Sequence, residues 1–209
     1  MQHSIQAEGY GIRLRPVRLD DAAFIVWLRN LDHAKGRLGD SATDVASQEA
    51  WLKEYFKREG DYYFIMETLS KIPVGTHGIY DVRSTSAEAG RFIVRPDVWA
   101  AAPTSVLTYD MTYGEMGLTE IRATSVESNF KLHSYIRRLG FRRVKVEQAG
   151  RVIGGQPVNI VHFIQTAEDW FSVREQVIPL ARLAETQVRE WEQAYLQNIG
   201  SQEVVGQIG

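Results

Sequence analysis

Apolar and polar positions alternate with two different periods along this chain, and the switches between them predict its elements. In residues 11–17, Ile12 and Leu14 alternate with Arg13 and Arg15, a half-buried strand closed by Pro16. Phe24, Trp27, Leu28 and Leu31 then recur at helical spacing, with Asp20 or Asp21 placed to cap. A polar stretch, 35–47, carries Gly36 and Gly39 and suits acceptor contacts or a solvated connection equally. Ser47 is placed to cap a second helix, whose stripe is Trp51, Leu52, Tyr55 and Phe56 and whose stop is Gly60. Residues 62–68 and 72–82 read as a hairpin, with 87–94 as a third antiparallel partner.

The stretch from 88 to 118 organises the rest. A strand delivers a small-residue turn, 95–102, to a helix with Pro103 near its first position and Thr104 after it. Free N–H groups and the positive end of a helix dipole make such a junction suited to a phosphate, and small side chains let a ligand approach the backbone. That helix runs to Met116 and Gly117, a strand follows at 120–126, and Ser128 or Asn129 caps the next helix. Its stripe is Leu132, Tyr135, Ile136 and Leu139, and Gly140 ends it. Strands at 141–148 and 158–165 surround a glycine-rich turn. From 167 to 197, Val173, Val177, Leu180, Ala184, Val188, Trp191 and Tyr195 form one helical stripe, which Pro179 should kink or split. This long helix either packs back on the domain or pairs with a second copy as a homodimer element, and 200–209 reads as frayed. Two β-helix-β steps flanked by hairpins imply an α/β (α+β) fold with a mixed sheet and helices on its faces. Residues 1–166 form the main domain and 167–209 a helical extension.

Composition narrows the function classes. The chain has 209 residues, 44% hydrophobic and 24% charged, with net charge -2. That is ordinary globular composition and gives no electrostatic case for nucleic acid. With no cysteine, disulfides, thiolate metal sites and a cysteine nucleophile are excluded. The five histidines, at 3, 33, 77, 133 and 162, show no metal-ligand spacing, so no metal is expected. No apolar run approaches the ~20 residues of a membrane span, and the first residues lack an apolar signal core. The expectation is a soluble, cytoplasmic protein with no membrane partner.

The order of elements, with a phosphate-type turn after the central strand, resembles the GNAT acyltransferase superfamily over residues 10–166. Two motifs carry this. FIVRPDVWAAAPTSVL is similar to the acetyl-CoA pyrophosphate loop, with Asp97, Ala100 and Ala102 where the family usually has a basic or amide residue and two small residues. SNFKLHSYIRRLGF is similar to the family's Asn-led helix, with Asn129, Leu139, Gly140 and Phe141 in register. The opening LRPVRLDDAAFIVWLRN and QEAWLKEY resemble the branch with ribosomal-protein and amino-sugar N-acetyltransferases. The resemblance implies a sheet of about six to seven mostly antiparallel strands and acetyl-CoA as co-substrate, with no metal. It implies coenzyme contacts from Phe92, Ile93, Val94, Ala100, Ala101, Ala102, Pro103, Thr104, Asn129 and Arg138. Acceptor contacts would come from Trp27, Arg29, Asn30 and Tyr80. Asp97 places a negative charge beside an anion site, which opposes binding unless it faces away or caps the helix.

An alkyl ammonium with a pKa of about 10.4 must lose a proton before it attacks a thioester. Glu88, at the start of the central strand, is the first candidate base. His77 shares a strand face with Asp81 and is the second. The family's general-acid Tyr position holds Ile136. Tyr135 stands one residue early, about 100° round the helix, and His133 is the replacement candidate. Arg137, Arg138, Arg142 and Arg143 form a basic group that meets a coenzyme phosphate or solvent. The resemblance implies a small-molecule amine as acceptor, an amino sugar or a nucleotide-linked amino sugar. A protein N-terminus, a polyamine, or a non-catalytic acyl-CoA-binding role are the alternatives.

Overall fold

A computed structural model describes residues 3–34 and 44–206; residues 35–43 of the polar stretch read above as an acceptor contact lie outside the described residues. Eight strands form one sheet in the order β1-β2-β3-β4-β5-β6-β8-β7. They are Ala7–Gly9, Ile12–Pro16, Tyr62–Thr68, Pro73–Arg83, Ser86–Val94, Glu120–Val126, Arg142–Ile153 and Gln156–Thr166, numbered β1 to β8. The sheet has one strand more than expected. Tyr10 and Gly11, both at positive φ (53° and 76°), make a two-residue turn that folds Ala7–Gly9 back onto β2. All pairings among the described residues are antiparallel except that of β5 with β6.

Helices cover both faces. Alternation along β3 sends Tyr63 and Ile65 to one face, where they pack with Ala22, Ile25 and Leu52 of helices α1 (Ala22–Arg29) and α2 (Val45–Tyr55). Phe64 and Met66 point the other way, towards α3 (Ala101–Asp110) and α5 (Ala167–Gly206). α4 (Phe130–Arg138) joins that second face through Ile136 and Leu139. Two caps differ from expectation. Asp44, not Ser47, caps α2, accepting the Ser47 N–H at 2.8 Å. Asp21 makes no cap bond to α1; it accepts from Arg15 at 2.7 and 2.8 Å and from the Arg18 N–H.

The long helix packs back on the domain. Trp170, Val177, Ala181, Ala184 and Val188 of α5 are buried, and Asp110 at the end of α3 binds the Trp170 indole and the Arg174 guanidinium. Leu180, expected in this stripe, is exposed, and Ala181 takes its place. Pro179 does not split α5. It lies on the solvent side, where water can satisfy the carbonyl it leaves unbonded, and the buried residues on either side hold the helix together.

Gly140 explains the Leu-Gly-Phe ending of α4. Its φ is +92°, and a Cβ there would stand 2.8 Å from the Asp169 carbonyl oxygen at the start of α5. Gly140→Ala should therefore cost about 2–3 kcal/mol, from a disfavoured backbone region and a clash with backbone that cannot move aside. Urea denaturation reads this directly, and a loss below ~0.5 kcal/mol would contradict the close approach.

Candidate active site

β5 and β6 hold together at one end only. Ser86 to Ala89 pair with Glu120 to Ala123, and beyond that point the strands part, leaving one edge of residues 90–94 without a strand partner. A bulge lies at the parting. Thr76 pairs with Ile93 and Gly78 with Gly90, so Arg91 and Phe92 together oppose His77. Arg91 takes positive φ (53°), a strained conformation for a side chain of its size. The bulge turns Gly90 and Arg91 to the α1–α2 face and Phe92 to the α3–α4 face.

A cavity of about 460 Å³ occupies the gap. Arg29, His33, Tyr80, Arg91 and Ile93 line it on the α1–α2 side; Phe92, Ala101, Ser105, Tyr109, Asn129, Leu132 and Tyr135 line it on the other. The cavity thus passes through the sheet and joins its two faces. Lys131 and Arg151 add positive charge, and no carboxylate contributes to its walls among the described residues. Arg91 is held by a bidentate pair with Asp61 and lies 4.5 to 6.0 Å from the rings of Trp51, Tyr55, Tyr63 and Tyr80. Tyr80 lies across Gly90, where an added Cβ would stand 2.5 Å from its hydroxyl oxygen.

The small-residue turn is tied down from outside. The Asp97 carboxylate accepts from Arg95 Nε and Nη2 (3.1 and 3.0 Å) and from Trp191 Nε1 (3.0 Å). Partial burial disfavours its charge, but the bonds from Arg95 and Trp191 outweigh this and hold the carboxyl below its ordinary range. Arg95 in turn lies between the rings of Trp27, Trp191 and Tyr195, at 4.9 to 5.5 Å. Asp97 therefore spends its charge on a latch between the turn and α5, and does not cap α3. The Ala100 side chain is buried with Val98, Met111 and Val188, and Ala102 packs against the main core, so neither methyl crowds the mouth of the turn.

A family model for the acetyltransferase (GNAT) domain matches residues 12–142, more than half of the chain. The chain belongs to the GNAT acetyltransferase family. Among solved structures, apo FdhC, described as a nucleotide-linked sugar GNAT, is 25% identical, with 86% of this chain and 98% of that chain covered and a TM-score of 0.68. A GCN5-related N-acetyltransferase from Brucella melitensis is 16% identical over 86% of both chains, with a TM-score of 0.73. A mutant of the spermidine N-acetyltransferase SpeG from Vibrio cholerae is 16% identical, covers 78% of this chain and 97% of its own, and has a TM-score of 0.68. No curated protein sequence matches significantly.

On this GNAT framework the sequence-derived site residues separate. Phe92, Ile93, Val94, Ala101, Asn129, His77, Tyr135, Arg29 and Tyr80 all line the cavity. Ala100, Pro103 and Thr104 are buried behind it, and Ala102 half-buried. The helix opens at Ala101, two residues before Pro103, and the Thr104 N–H bonds the Ala100 carbonyl. Free donors for an anion therefore stop at Ala102, short of the Ala100–Thr104 run expected from sequence. Asn129 caps α4 through Leu132 N–H while facing the cavity. Trp27, Asn30, Arg138, His133 and Glu88 are not walls of the cavity. Trp27 stacks on Phe24 and Arg95, and Asn30 bonds the Val26 carbonyl. Arg138 is exposed at the end of α4. His133 turns to Phe163, and its Nε2 has no partner. Glu88 sits on the α1–α2 face with its backbone opposite Tyr80.

His77 is buried, with Nδ1 at 3.1 Å from Thr108 Oγ1 and its ring edge-on to Phe92. Burial pushes its pKa down to about 3, so it is neutral at physiological pH and too weak a base to take a proton from an ammonium. Asp81, expected to share its face, adopts positive φ (52°) at a second register shift and pairs with exposed Arg83. A histidine whose pKa is lower folded than unfolded contributes full stability above pH ~6.5 and loses it as pH falls towards 3. Between pH 7 and pH 4.5 this residue should account for about 2–3 kcal/mol of lost stability. Urea melts of His77→Gln at the two pH values should show that part of the loss removed; an unchanged difference would contradict it.

Tyr135 is the opposite case. Its hydroxyl is 2.8 Å from Ser105 Oγ, its ring stacks on Phe92, and burial pushes its pKa up to about 12 despite the Ser105 bond. Tyr135 stands one residue from the family's Tyr position, held by Ile136, and both residues reach the cavity, because the parted strands expose a wide arc of α4. Ser105, Tyr109, Lys131 and Arg151 were not read from sequence as site residues. Arg151 arrives on the β7–β8 hairpin, which extends past its expected ends to Ile153 and Gln156.

Proposed function

We propose that this GNAT protein transfers an acetyl group from acetyl-CoA to the amine of a nucleotide-linked amino sugar. One observation carries the choice of acceptor: among the described residues the cavity walls hold Arg29, Lys131 and Arg151, with Arg91 paired to Asp61, and no carboxylate. A polyamine is a polycation of pKa about 10.4 and needs acidic walls and a strong base. A sugar nucleotide is an anion. Its amine, flanked by electron-withdrawing C–O bonds, resembles an α-amino group of pKa about 7.7–8.0, and a fraction is already neutral at physiological pH. The 25%-identical nucleotide-linked sugar GNAT supports the same reading.

The residues fit the donor. The free N–H groups of Ala101 and Ala102 and the positive end of α3 suit a diphosphate, with Asp97 drawn away to α5. The unpaired edge of Phe92, Ile93 and Val94 and the Asn129 side chain would hold the pantetheine arm. When bound, the coenzyme supplies a thioester whose carbonyl carbon accepts the amine. Backbone donors of the parted β5 edge suit the oxyanion, and Tyr135 donates to the sulfur as negative charge grows there. Glu88 accepts the amine proton through water beside Tyr80.

Thiol release from acetyl-CoA, measured against dTDP- and UDP-linked amino sugars, free glucosamine and spermidine, tests this. Turnover with the nucleotide sugars at least tenfold above the others is expected. A preference for spermidine would refute it. The latch gives a separate check on the donor side. Trp191→Phe keeps the ring but loses the bond to Asp97, and we expect the KM for acetyl-CoA to rise about three- to tenfold with kcat little changed. An unchanged KM would show that the latch does not hold the turn.

A further inference from the structure

Arg29 ends α1 and faces the cavity from the α1–α2 side. Its guanidinium is largely withdrawn from water, it has no ion pair among the described residues, and its Nε has no hydrogen-bond partner. The buried Tyr63 side chain lies beside it. Arg122 on β6 also has an unpartnered Nε, but it is not a wall of the cavity, and three other arginines with limited exposure are matched. Arg15 binds Asp21 and Glu67, Arg91 binds Asp61, and Arg174 binds Asp110. A desolvated cation without a counter-charge is costly, and Arg91 nearby adds repulsion. A site that keeps such a group gains from a ligand that brings the missing negative charge.

We propose that Arg29 is the receptor for a phosphate of the acceptor. The planar fork of a guanidinium matches two oxygens of one phosphate. Arg151, on the hairpin across the cavity, provides a second cation for the adjoining phosphate. The donor's diphosphate belongs at the α3 turn on the opposite face of the sheet, so it does not compete for this position. The inference rests on the nucleotide-sugar reading above and adds to it the residue that selects for charge.

The test uses the full-length protein saturated with coenzyme A, so that the α3 turn is filled. Thymidine diphosphate and uridine diphosphate are titrated calorimetrically, with glucuronate as the carboxylate comparison. The wild-type protein should bind a nucleotide diphosphate, Arg29→Met should bind it about 10- to 100-fold more weakly, and Arg29→Lys should fall between. Arg29→Met should keep or raise Tm, because it removes an unmatched buried charge. If wild type and Arg29→Met bind the nucleotides equally, the inference is overturned while the nucleotide-sugar reading stands. If the coenzyme-loaded wild type binds neither nucleotide at millimolar concentration, or prefers glucuronate, both fall. Should Arg29→Met not fold, the comparison of wild type with Arg29→Lys decides, and equal binding by those two overturns the inference.

Discussion

Tyr135→Phe should lower kcat about a hundredfold or more while leaving the KM for acetyl-CoA within a few-fold of wild type. The expectation follows from position and protonation together. Tyr135 lines the cavity between β5 and β6 with Phe92 and Asn129, and its hydroxyl is held by Ser105 Oγ at 2.8 Å. With its pKa pushed up to about 12, the phenol carries its proton at physiological pH. A thiolate leaving in the same desolvated cavity is a stronger base than the ~8.5 of a free thiol, which narrows the gap between donor and acceptor. Phenylalanine keeps the stacking on Phe92 and removes only the donor. Steady-state kinetics with saturating acceptor reads the result, and a kcat within threefold of wild type would remove Tyr135 from the chemistry. The effect of Tyr135→Phe should be larger than that of His133→Gln, since His133 is not a wall of the cavity.

The other large effect is on stability. Arg91→Ala should cost about 3 kcal/mol, because it leaves Asp61, a buried carboxylate, with the longer 3.7 Å pair to Arg58 in place of its bidentate partner. Arg91 also brings together Trp51, Tyr55, Tyr63 and Tyr80, so the loss reaches both α2 and the cavity wall. The strained φ of Arg91 is maintained by these contacts, and the bulge turns Phe92 to the α3–α4 face. Asp61→Ala should cost a similar amount, and the double variant markedly less than the sum of the two. Urea melts of the three variants form the cycle. Additive losses would mean that the pair is not the element holding the bulge.

The bulge also shows why parts of the site were not legible in the sequence. Element types followed from period: two for β2 to β6, near 3.6 for α1, α4 and α5. The turn, Asn129 and the Leu-Gly-Phe ending could be read because each depends on local backbone chemistry. Arg91 could not. It looks like any outward residue in an alternating strand, and its left-handed φ is imposed by Asp61 and by rings from three other elements. Asp97 misled for a related reason. Its charge seemed to oppose an anion until Trp191, 94 positions later, proved to be its partner. The first strand was missed because Tyr10–Gly11 is not among the strong turn pairs, although both residues take the required positive φ. Tyr135, one residue from the family's position, still lines the cavity, because a one-residue shift on a helix decides direction only when the facing groove is narrow.

Calorimetric titration of acetyl-CoA into wild type and Ala101→Glu tests the central claim, that the parted strands and the α3 turn form a coenzyme site. Ala101 lines the cavity at the first position of α3, where a carboxylate would meet the diphosphate. We expect one molecule to bind per chain at micromolar concentration in wild type, and at least tenfold more weakly in the variant. No heat from wild type at millimolar acetyl-CoA, or equal binding by the two proteins, would contradict that claim.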